Sequence, residues 1–131
     1  MHKATMGWLG RAAAMAILFS AAAHASPAPL LLQSPTLSAD RIAFAYGGEI
    51  WTVPRAGGDA TLLVGGQGTA SAPVFSPDGR SIAYTANVNG NDDVFVVPAG
   101  GGQPSRLTWH PDRDAAVGWT PDGKNVLIRS H

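Results

Sequence analysis

The sequence predicts an all-β protein built from blades of a β-propeller, and three observations support that prediction. Residues 75–84 return as residues 119–128, with Pro-Asp-Gly in both copies, and the equivalent residues Ser76 and Thr120 are 44 positions apart. A weaker copy lies at residues 37–44. A repeat of about 40 residues is typical of propeller blades. The spacing between copies changes only inside turns, as expected when strands form a common scaffold and loops accept insertions.

Before the first repeat, residues 1–25 have the pattern of a helical secretory signal peptide. A basic start at Lys3 is followed by the largely apolar residues 12–23 and a small-x-small motif ending at Ala25. We therefore expect cleavage between Ala25 and Ser26, and export to the periplasm or the medium. The apolar run has about 12 residues, which is short for a bilayer span, so no stable membrane span is predicted. An uncleaved anchor remains the alternative.

Charge and cysteine content limit the kinds of partner and binding site that residues 26–131 could have. Without residues 1–25, seven basic and nine acidic residues remain, a net charge of −2, and the basic residues do not cluster. This disfavours a nucleic-acid partner, which requires a basic face. The absence of cysteine excludes disulfides and thiolate metal sites. Residues 26–131 would suffice for one ordinary domain, but propeller blades pack against each other and share no central core.

The predicted strands follow the repeat along residues 26–131. Blade 1 covers about 34–64, blade 2 about 71–108, and a partial blade 3 about 115–131, which makes about two and a half four-stranded antiparallel blades. A two-glycine hairpin joins the first two strands predicted in blade 1, and Asn-Gly marks a hairpin in blade 2. The predicted strands are 41–46, 49–53 and 60–64 in blade 1, 72–75, 81–86, 93–97 and 104–108 in blade 2, and 116–119 and 125–129 in blade 3.

The Pro-Asp-Gly residues are predicted to be structural turns. Proline presets φ for the first corner, aspartate accepts hydrogen bonds from nearby backbone amides, and glycine tolerates positive φ. Two acids at equivalent corners of different blades cannot form a close catalytic pair. The turn residues are Pro77, Asp78, Gly79, Pro121, Asp122 and Gly123.

Other polar clusters suggest chemistry, but each has a simpler interpretation. The oxygen-rich residues 89–93 lack the spacing and terminal Glu of an EF-hand, so a solvated hairpin is expected. His110 with Asp112 and Asp114 could suggest a metal or acid–base site, but the better interpretation is that they are ordinary polar residues of a loop between blades. Residues 65–69 are glycine-rich but lack a P-loop lysine, and no Gly-x-Ser-x-Gly motif occurs. We therefore predict no catalytic, cofactor or metal residues.

Three tryptophans occur at strands or strand ends: Trp51, Trp109 and Trp119. Propeller blades use large aromatic residues to fill the wedge between sheets, so packing is expected for all three in preference to ligand stacking.

The repeat, Ser-Pro-Asp-Gly-Arg-Ser-Ile-Ala-Tyr followed by residues 92–101, resembles the propeller repeat of TolB-like proteins. The stretch from Arg106 to Lys124, with Leu-Thr-Trp-His-Pro and Gly-Trp-Thr-Pro-Asp-Gly, is similar to the N-terminal propeller of tricorn-type serine peptidases. Residues 42–44 and 49–53 also resemble the first blade of that family. The resemblance covers roughly residues 31–131.

This resemblance implies a large parent peptidase with an N-terminal six-bladed propeller, a second propeller, a PDZ domain and a C-terminal Ser/His catalytic region. Such a parent cleaves peptides and assembles into oligomers, and its propeller gates or presents peptide substrate. No catalytic position of the family falls within this sequence, which is about a tenth of the expected length. The alternatives are a TolB-like periplasmic propeller that binds proteins, or the propeller of a prolyl-oligopeptidase-like hydrolase or amidohydrolase.

Overall fold

A computed structural model describes residues 31–131, and the predicted signal peptide, with Ala25 and Ser26, lies outside them. The described residues form three antiparallel sheets of β-strands, which confirms the prediction of an all-β fold made of propeller blades. None of these residues belongs to a helix long and apolar enough to cross a membrane.

The first two sheets are four-stranded meanders in which each strand pairs with the next along the chain. Short turns make this order possible, because an antiparallel neighbour needs only a tight hairpin. The first sheet contains β1 (Gln33–Leu37), β2 (Arg41–Tyr46), β3 (Glu49–Pro54) and β4 (Thr61–Val64). The second contains β5 (Thr69–Phe75), β6 (Ser81–Val88), β7 (Asn91–Pro98) and β8 (Ser105–Arg106).

The third sheet consists of β9 (Asp114–Trp119) and β10 (Val126–Ser130). Its two strands occupy the positions of the first and second strands of the other sheets. The inner strands of successive sheets are neighbours, since β5 packs against β1 and β9 packs against β5. The sheets therefore fan out from β1, β5 and β9, as blades do around a propeller axis.

Each inner strand has a β-bulge at the same position of the repeat. The pairing register shifts between Gln33 and Thr36 in β1, between Ser71 and Val74 in β5, and opposite Leu127 and Ile128 in the third sheet. Ser34 and Ala72, both followed by proline, adopt positive φ of 49° and 47°. A bulge inserts one extra residue and bends the strand. Beyond its bulge β5 continues to pair with β6 through Thr69, Ala70 and Ser71, so it is longer than the predicted strand at 72–75.

The outer strand of the second sheet is shorter than the predicted 104–108. Only Ser105 and Arg106 form ladder pairs with β7. Leu107 still donates its backbone N–H to the carbonyl of Val94, at 2.8 Å. The Val94 N–H, however, donates to the Thr108 hydroxyl oxygen at 3.0 Å. A side chain thus replaces a backbone carbonyl at this position, and the strand ends there.

Two apolar clusters hold the sheets together. One lies between the first and second sheets and contains Ile50, Ile82 and Val97, all fully buried. In the same cluster the rings of Tyr84 and Phe95 stack with centroids 5.6 Å apart. Offset aromatic pairs of this kind stabilise a fold beyond the area that they bury.

The second cluster, between the second and third sheets, is smaller. It is centred on Ala83, Val94 and Ala116, with Trp119 packed against them. The indole Nε1 of Trp119 donates a hydrogen bond of 3.0 Å to the carbonyl of Val74. The expectation that Trp119 packs between sheets is therefore confirmed.

The other two tryptophans differ from Trp119. Trp51 lies on the face of the first sheet that points away from the second, where with Phe44 and Tyr46 it lines an apolar pocket of about 230 Å³. Trp109 is 69% exposed, so the expectation that it fills a wedge between sheets is wrong. Its ring instead lies 6.0 Å from the guanidinium carbon of Arg106.

Candidate functional site

The two ends of the sheets differ in their chemistry. At the turn end, the first strand of each sheet turns into the second. At the loop end lie the hairpins between second and third strands and the connections from one sheet to the next. The loop end is the candidate functional site, because loops on a rigid scaffold carry binding residues in many folds.

The turn end carries one hydrogen-bonded motif three times. In the second sheet, Ser76 Oγ donates to Asp78 Oδ1 at 2.6 Å and accepts from the Ser81 N–H at 3.0 Å, while the Arg80 N–H donates to Asp78 Oδ1 at 3.0 Å. The carboxylate therefore accepts from one backbone N–H that the turn leaves free, as aspartate does in Asx turns, and the serine hydroxyl accepts from another. The Ser76 hydroxyl, followed by the Arg80 N–H, lowers the pKa of the Asp78 carboxyl below its usual value.

The third sheet repeats this motif with threonine in place of serine. Thr120 Oγ1 donates to Asp122 Oδ1 at 2.6 Å, and the Lys124 N–H donates to the same oxygen at 3.0 Å. The Thr120 hydroxyl is the main cause of the lowered pKa of Asp122. In the first sheet, Ser38 Oγ donates to Asp40 Oδ1 at 3.1 Å. The Arg41 N–H donates to Ser38 Oγ at 3.0 Å, so the weak upstream copy of the repeat keeps the hydroxyl part of the motif in a shorter turn.

Successive turns also lie against each other. A β-carbon added to Gly79 would come 3.1 Å from Cβ of Ser38, and one added to Gly123 would come 3.6 Å from Cδ of Pro77. Both glycines have φ of 71°. The structure places the turn residues of the motif in these stacked corners, with Asp78 and Asp122 in separate sheets.

The loop end of the second sheet contains a buried acid, Asp93, on β7. Its side chain is fully buried and accepts a hydrogen bond of 2.6 Å from Arg106 Nη2 and one of 3.3 Å from the Thr108 hydroxyl. The expectation of a solvated hairpin holds for the exposed Asn89 but is wrong for Asp93. A carboxylate can be buried here because a guanidinium and a hydroxyl replace its water.

Arg106 connects this acid to the loop that leads into the third sheet. Its Nε donates to the carbonyl of Thr108 at 2.7 Å, and its guanidinium faces the ring of Trp109. On the same loop, the carbonyl of His110 accepts a 2.8 Å hydrogen bond from Asn91 Nδ2. The loop is thereby fixed to β7 at two points, and it presents Trp109 and His110 to solvent.

Of the three residues that suggested a metal or acid–base site, the structure brings two together at the surface and buries the third elsewhere. His110 Nδ1 lies 3.1 Å from Asp112 Oδ2, and both side chains are more than half exposed. Asp114, predicted to be a polar residue of the loop, is instead buried at the start of β9. It accepts a 2.6 Å hydrogen bond from Ser130 Oγ. Residues 31–131 contain no group of three or more His, Cys, Asp or Glu side chains that could hold a metal ion.

Sequence reasoning missed both the ion pair and the bulges. An acid that opens a strand of Val and Phe, with an arginine 13 positions later at the next strand, is a recognisable signal for a cross-strand ion pair. For the bulges the signal is weaker, since only two of the three inner strands carry a small residue before proline.

Comparison with known proteins identifies the family. The family model of the tricorn protease N-terminal β-propeller domain matches residues 29–131. The chain belongs to this family. It is 32% identical over 105 residues to tricorn protease homolog 1 of Streptomyces coelicolor, an alignment that covers 79% of this chain and 10% of that protein.

Solved structures agree with this assignment. The crystal structure of the tricorn protease matches with a TM-score of 0.68 and 26% identity over 77% of this chain and 11% of that one. TolB from Acinetobacter baumannii matches with a TM-score of 0.66 and 29% identity, over 77% of this chain and 27% of that one. The chain therefore spans a small part of these relatives, and it shares its blades with both tricorn and TolB propellers.

Proposed function

We propose that this chain is the propeller portion of an exported tricorn-like serine peptidase, and that it gates or presents peptide substrate without performing catalysis. The single observation that carries the proposal is the arrangement of β1, β5 and β9. Each inner strand adjoins the next, and at the loop end hydrogen bonds hold the loop that carries Trp109 and His110 to the second sheet.

The inner strands suit contact with an extended peptide. Ser71 on β5 and Val117 on β9 are exposed and lie next to the bulges. Bulges turn side chains and free backbone groups out of the regular ladder, and they are common at the rims of barrels and beside active sites. A peptide that passes along the propeller axis would meet these positions first.

Site-specific photo-crosslinking tests this role. A photoreactive amino acid is placed at Ser71 on the inner strand or, as a control, at the exposed Gln103 in the turn that leads to the outer strand, each in the full chain. The probe is a biotinylated, unstructured decapeptide library. We expect crosslinks at Ser71 and few at Gln103. Equal labelling at both positions would contradict substrate presentation along the axis.

Export is tested separately. The full chain is fused to alkaline phosphatase, which is active only outside the cytoplasm, and the mature N-terminus is sequenced. We expect phosphatase activity and a mature chain that starts at Ser26, and we expect Ala25→Arg to block processing. An inactive fusion with an intact N-terminus would refute export without bearing on the fold.

The purified chain should not hydrolyse a peptide panel, because the chemistry of a serine peptidase needs an activated nucleophile beside a base. Turnover abolished by a serine-directed inhibitor would contradict this expectation.

The reading frame downstream separates the alternatives. A PDZ domain and a peptidase core support the peptidase. A stop after six blades supports a TolB-like binding protein, and a nucleophile elbow or a histidine cluster supports another hydrolase.

A further inference from the structure

Three turns of the chain place an aspartate or asparagine directly before a glycine. At such a dipeptide the glycine nitrogen can attack the carboxyl or amide carbon of the preceding side chain, because glycine has no β-carbon to hinder the approach. The product is a five-membered succinimide ring. The attack is favoured by a glycine N–H outside any hydrogen bond and by a side chain that is free to turn toward it. The three dipeptides are Asp78-Gly79, Asn89-Gly90 and Asp122-Gly123.

The two Pro-Asp-Gly turns are protected against this reaction. The Gly79 N–H donates to the carbonyl of Ser76 at 2.9 Å. The Gly123 N–H donates to the carbonyl of Thr120 at 2.8 Å. Each aspartate carboxylate is also held by a neighbouring hydroxyl and by a backbone N–H. An attack at either turn must therefore first break hydrogen bonds that the folded chain maintains.

The Asn-Gly turn at the loop end lacks this protection. Asn89 and Gly90 join β6 to β7, and both are exposed. In the described part of the chain, neither the Asn89 side chain nor the Gly90 N–H takes part in a hydrogen bond. A β-carbon added to Gly90 would meet nothing within 4 Å, so no neighbouring group shields the turn. The attack requires only a backbone rotation at the tip of a hairpin, where local opening costs least.

We propose that Asn89 is a site of spontaneous modification, which converts it to isoaspartate and thereby loosens the loop that presents Trp109 and His110. The Gly90 nitrogen gives up its proton and bonds to Cγ of Asn89, while the bond from Cγ to the amide nitrogen breaks and ammonia leaves with the proton. Water then opens the succinimide. Hydrolysis between the ring nitrogen and Cγ gives aspartate, and hydrolysis between that nitrogen and the backbone carbonyl carbon gives isoaspartate.

The effect on the loop follows from the geometry of the hairpin. In isoaspartate the main chain runs through Cγ, so it is one carbon atom longer, and the turn no longer fits the register in which Val88 pairs with Asn91. The side chain of Asn91 holds the carbonyl of His110 at 2.8 Å. The modification therefore weakens one of the two attachments of the loop to β7. This inference depends on the hairpin alone and is independent of the proposed role in peptide presentation.

The test ages the full chain at mildly alkaline pH. Isoaspartate is located by peptide mass spectrometry after labelling with an isoaspartyl methyltransferase, which modifies isoaspartate but not aspartate. Asp78→Asn is the matched control, because it puts the same amide before a glycine inside the hydrogen-bonded turn. We expect residue 89 to react at least about tenfold faster than residue 78 of that variant, since hydrogen bonds must open first at the turn.

Two results overturn the assignment of the site. One is an equal rate at positions 78 and 89 of the control variant. The other is an unreacted Asn89 in the folded chain after a synthetic peptide that copies residues 86–93 has reacted completely under the same conditions.

Asn89→Gly removes the reacting amide without straining the turn. The equivalent hairpin of the first sheet is Gly47-Gly48, with φ of 60° and 80°, close to the 59° and 90° of Asn89 and Gly90. The variant should therefore fold with the same turn and form no isoaspartate in the peptide that contains it. As much isoaspartate in that peptide as in the unchanged chain overturns the assignment.

Hydrogen exchange of residues 107–113 measures the effect on the loop. We expect exchange there to be at least about threefold faster in the aged chain than in the fresh one, and unchanged by ageing in Asn89→Gly. Fresh Asn91→Ala, which lacks the amide that holds His110, should already exchange faster. Fresh Asn89→Asp adds the negative charge without the extra carbon and should not. Unchanged exchange in a chain that carries isoaspartate at position 89, or equally fast exchange in fresh Asn89→Asp, overturns the proposed effect of the lengthened main chain.

Discussion

The first and second sheets share their strand order and the bulge in the inner strand, yet of the two only the second has a buried ion pair. Glu49 occupies in the first sheet the position that Asp93 occupies in the second, but Leu62 stands where the second sheet has Arg106. The first sheet therefore leaves its acid half-buried, and the second buries its acid completely. The comparison separates what the repeat requires from what was added to one copy.

The turn motif belongs to what the repeat requires. It is present in all three sheets, joins residues at most five positions apart, and packs against the preceding turn. The ion pair joins residues 13 positions apart and fixes a loop that leads to the next sheet. Features that occur in one copy of a repeat are stronger candidates for function than features that occur in all copies.

The largest expected effect comes from converting the second sheet to the pattern of the first. Arg106→Leu leaves Asp93 buried without its cation, and we expect a loss of about 3 kcal/mol in the free energy of unfolding. Urea denaturation measures it. Arg129→Leu, at an exposed arginine of β10, is the control and should change stability by less than about 0.5 kcal/mol. Similar losses in the two variants would contradict a special role for the pair.

The connection between the first two sheets offers the next test. A β-carbon on Gly68 would collide with the carbonyl oxygen of Asn87, whereas one on Gly66 would meet nothing within 4 Å, and the two glycines have similar positive φ of 80° and 75°. We expect Gly68→Ala to cost about 2 kcal/mol or more, and Gly66→Ala about 1 kcal/mol. Equal Tm values for the two variants would show that the loop moves away from β6 at little cost.

The dependence of stability on alkaline pH tests the packing of Tyr84 in the middle of the second sheet, away from the turn end and the loop end. Burial raises the pKa of Tyr84 to about 12 from 10.0. Between these values the unfolded chain loses the phenolic proton while the folded chain keeps it, so stability falls as pH rises from about 10 to 12. Tyr84→Phe should flatten that part of the pH–stability curve. An unchanged curve would mean that another group controls alkaline unfolding.

The smallest effect is expected at the turns, where the acids are exposed. The serine or threonine hydroxyl lowers the pKa of Asp78 and Asp122 below the ordinary value of 3.8. Their contribution is present above the unfolded pKa and is lost as pH falls through the folded one. Asp78→Asn should therefore reduce the loss of stability below about pH 4. Asp59→Asn controls for the removal of one negative charge, and an equal response of both variants would contradict the turn assignment.

The sequence predicts those parts of the fold that depend on local chemistry. Pro-Asp-Gly and the hairpin at Asn89 specify turns by backbone preference alone. The burial of Asp93 was not predictable in this way, because it depends on a guanidinium that the next strand brings beside it. The early end of β8 likewise depends on the Thr108 hydroxyl, which takes the place of a backbone acceptor.

Hydrogen bonds between sheets share one direction along the chain. The N–H groups of Ala70 and Phe75 donate to Gly48 and Thr36 of the first sheet, and those of Ala116 and Trp119 donate to the second. In each of these bonds the acceptor precedes the donor in sequence. Each new sheet therefore docks on acceptors that the preceding sheet already presents, so the blades can be added one after another in chain order as the protein folds from its N-terminal side.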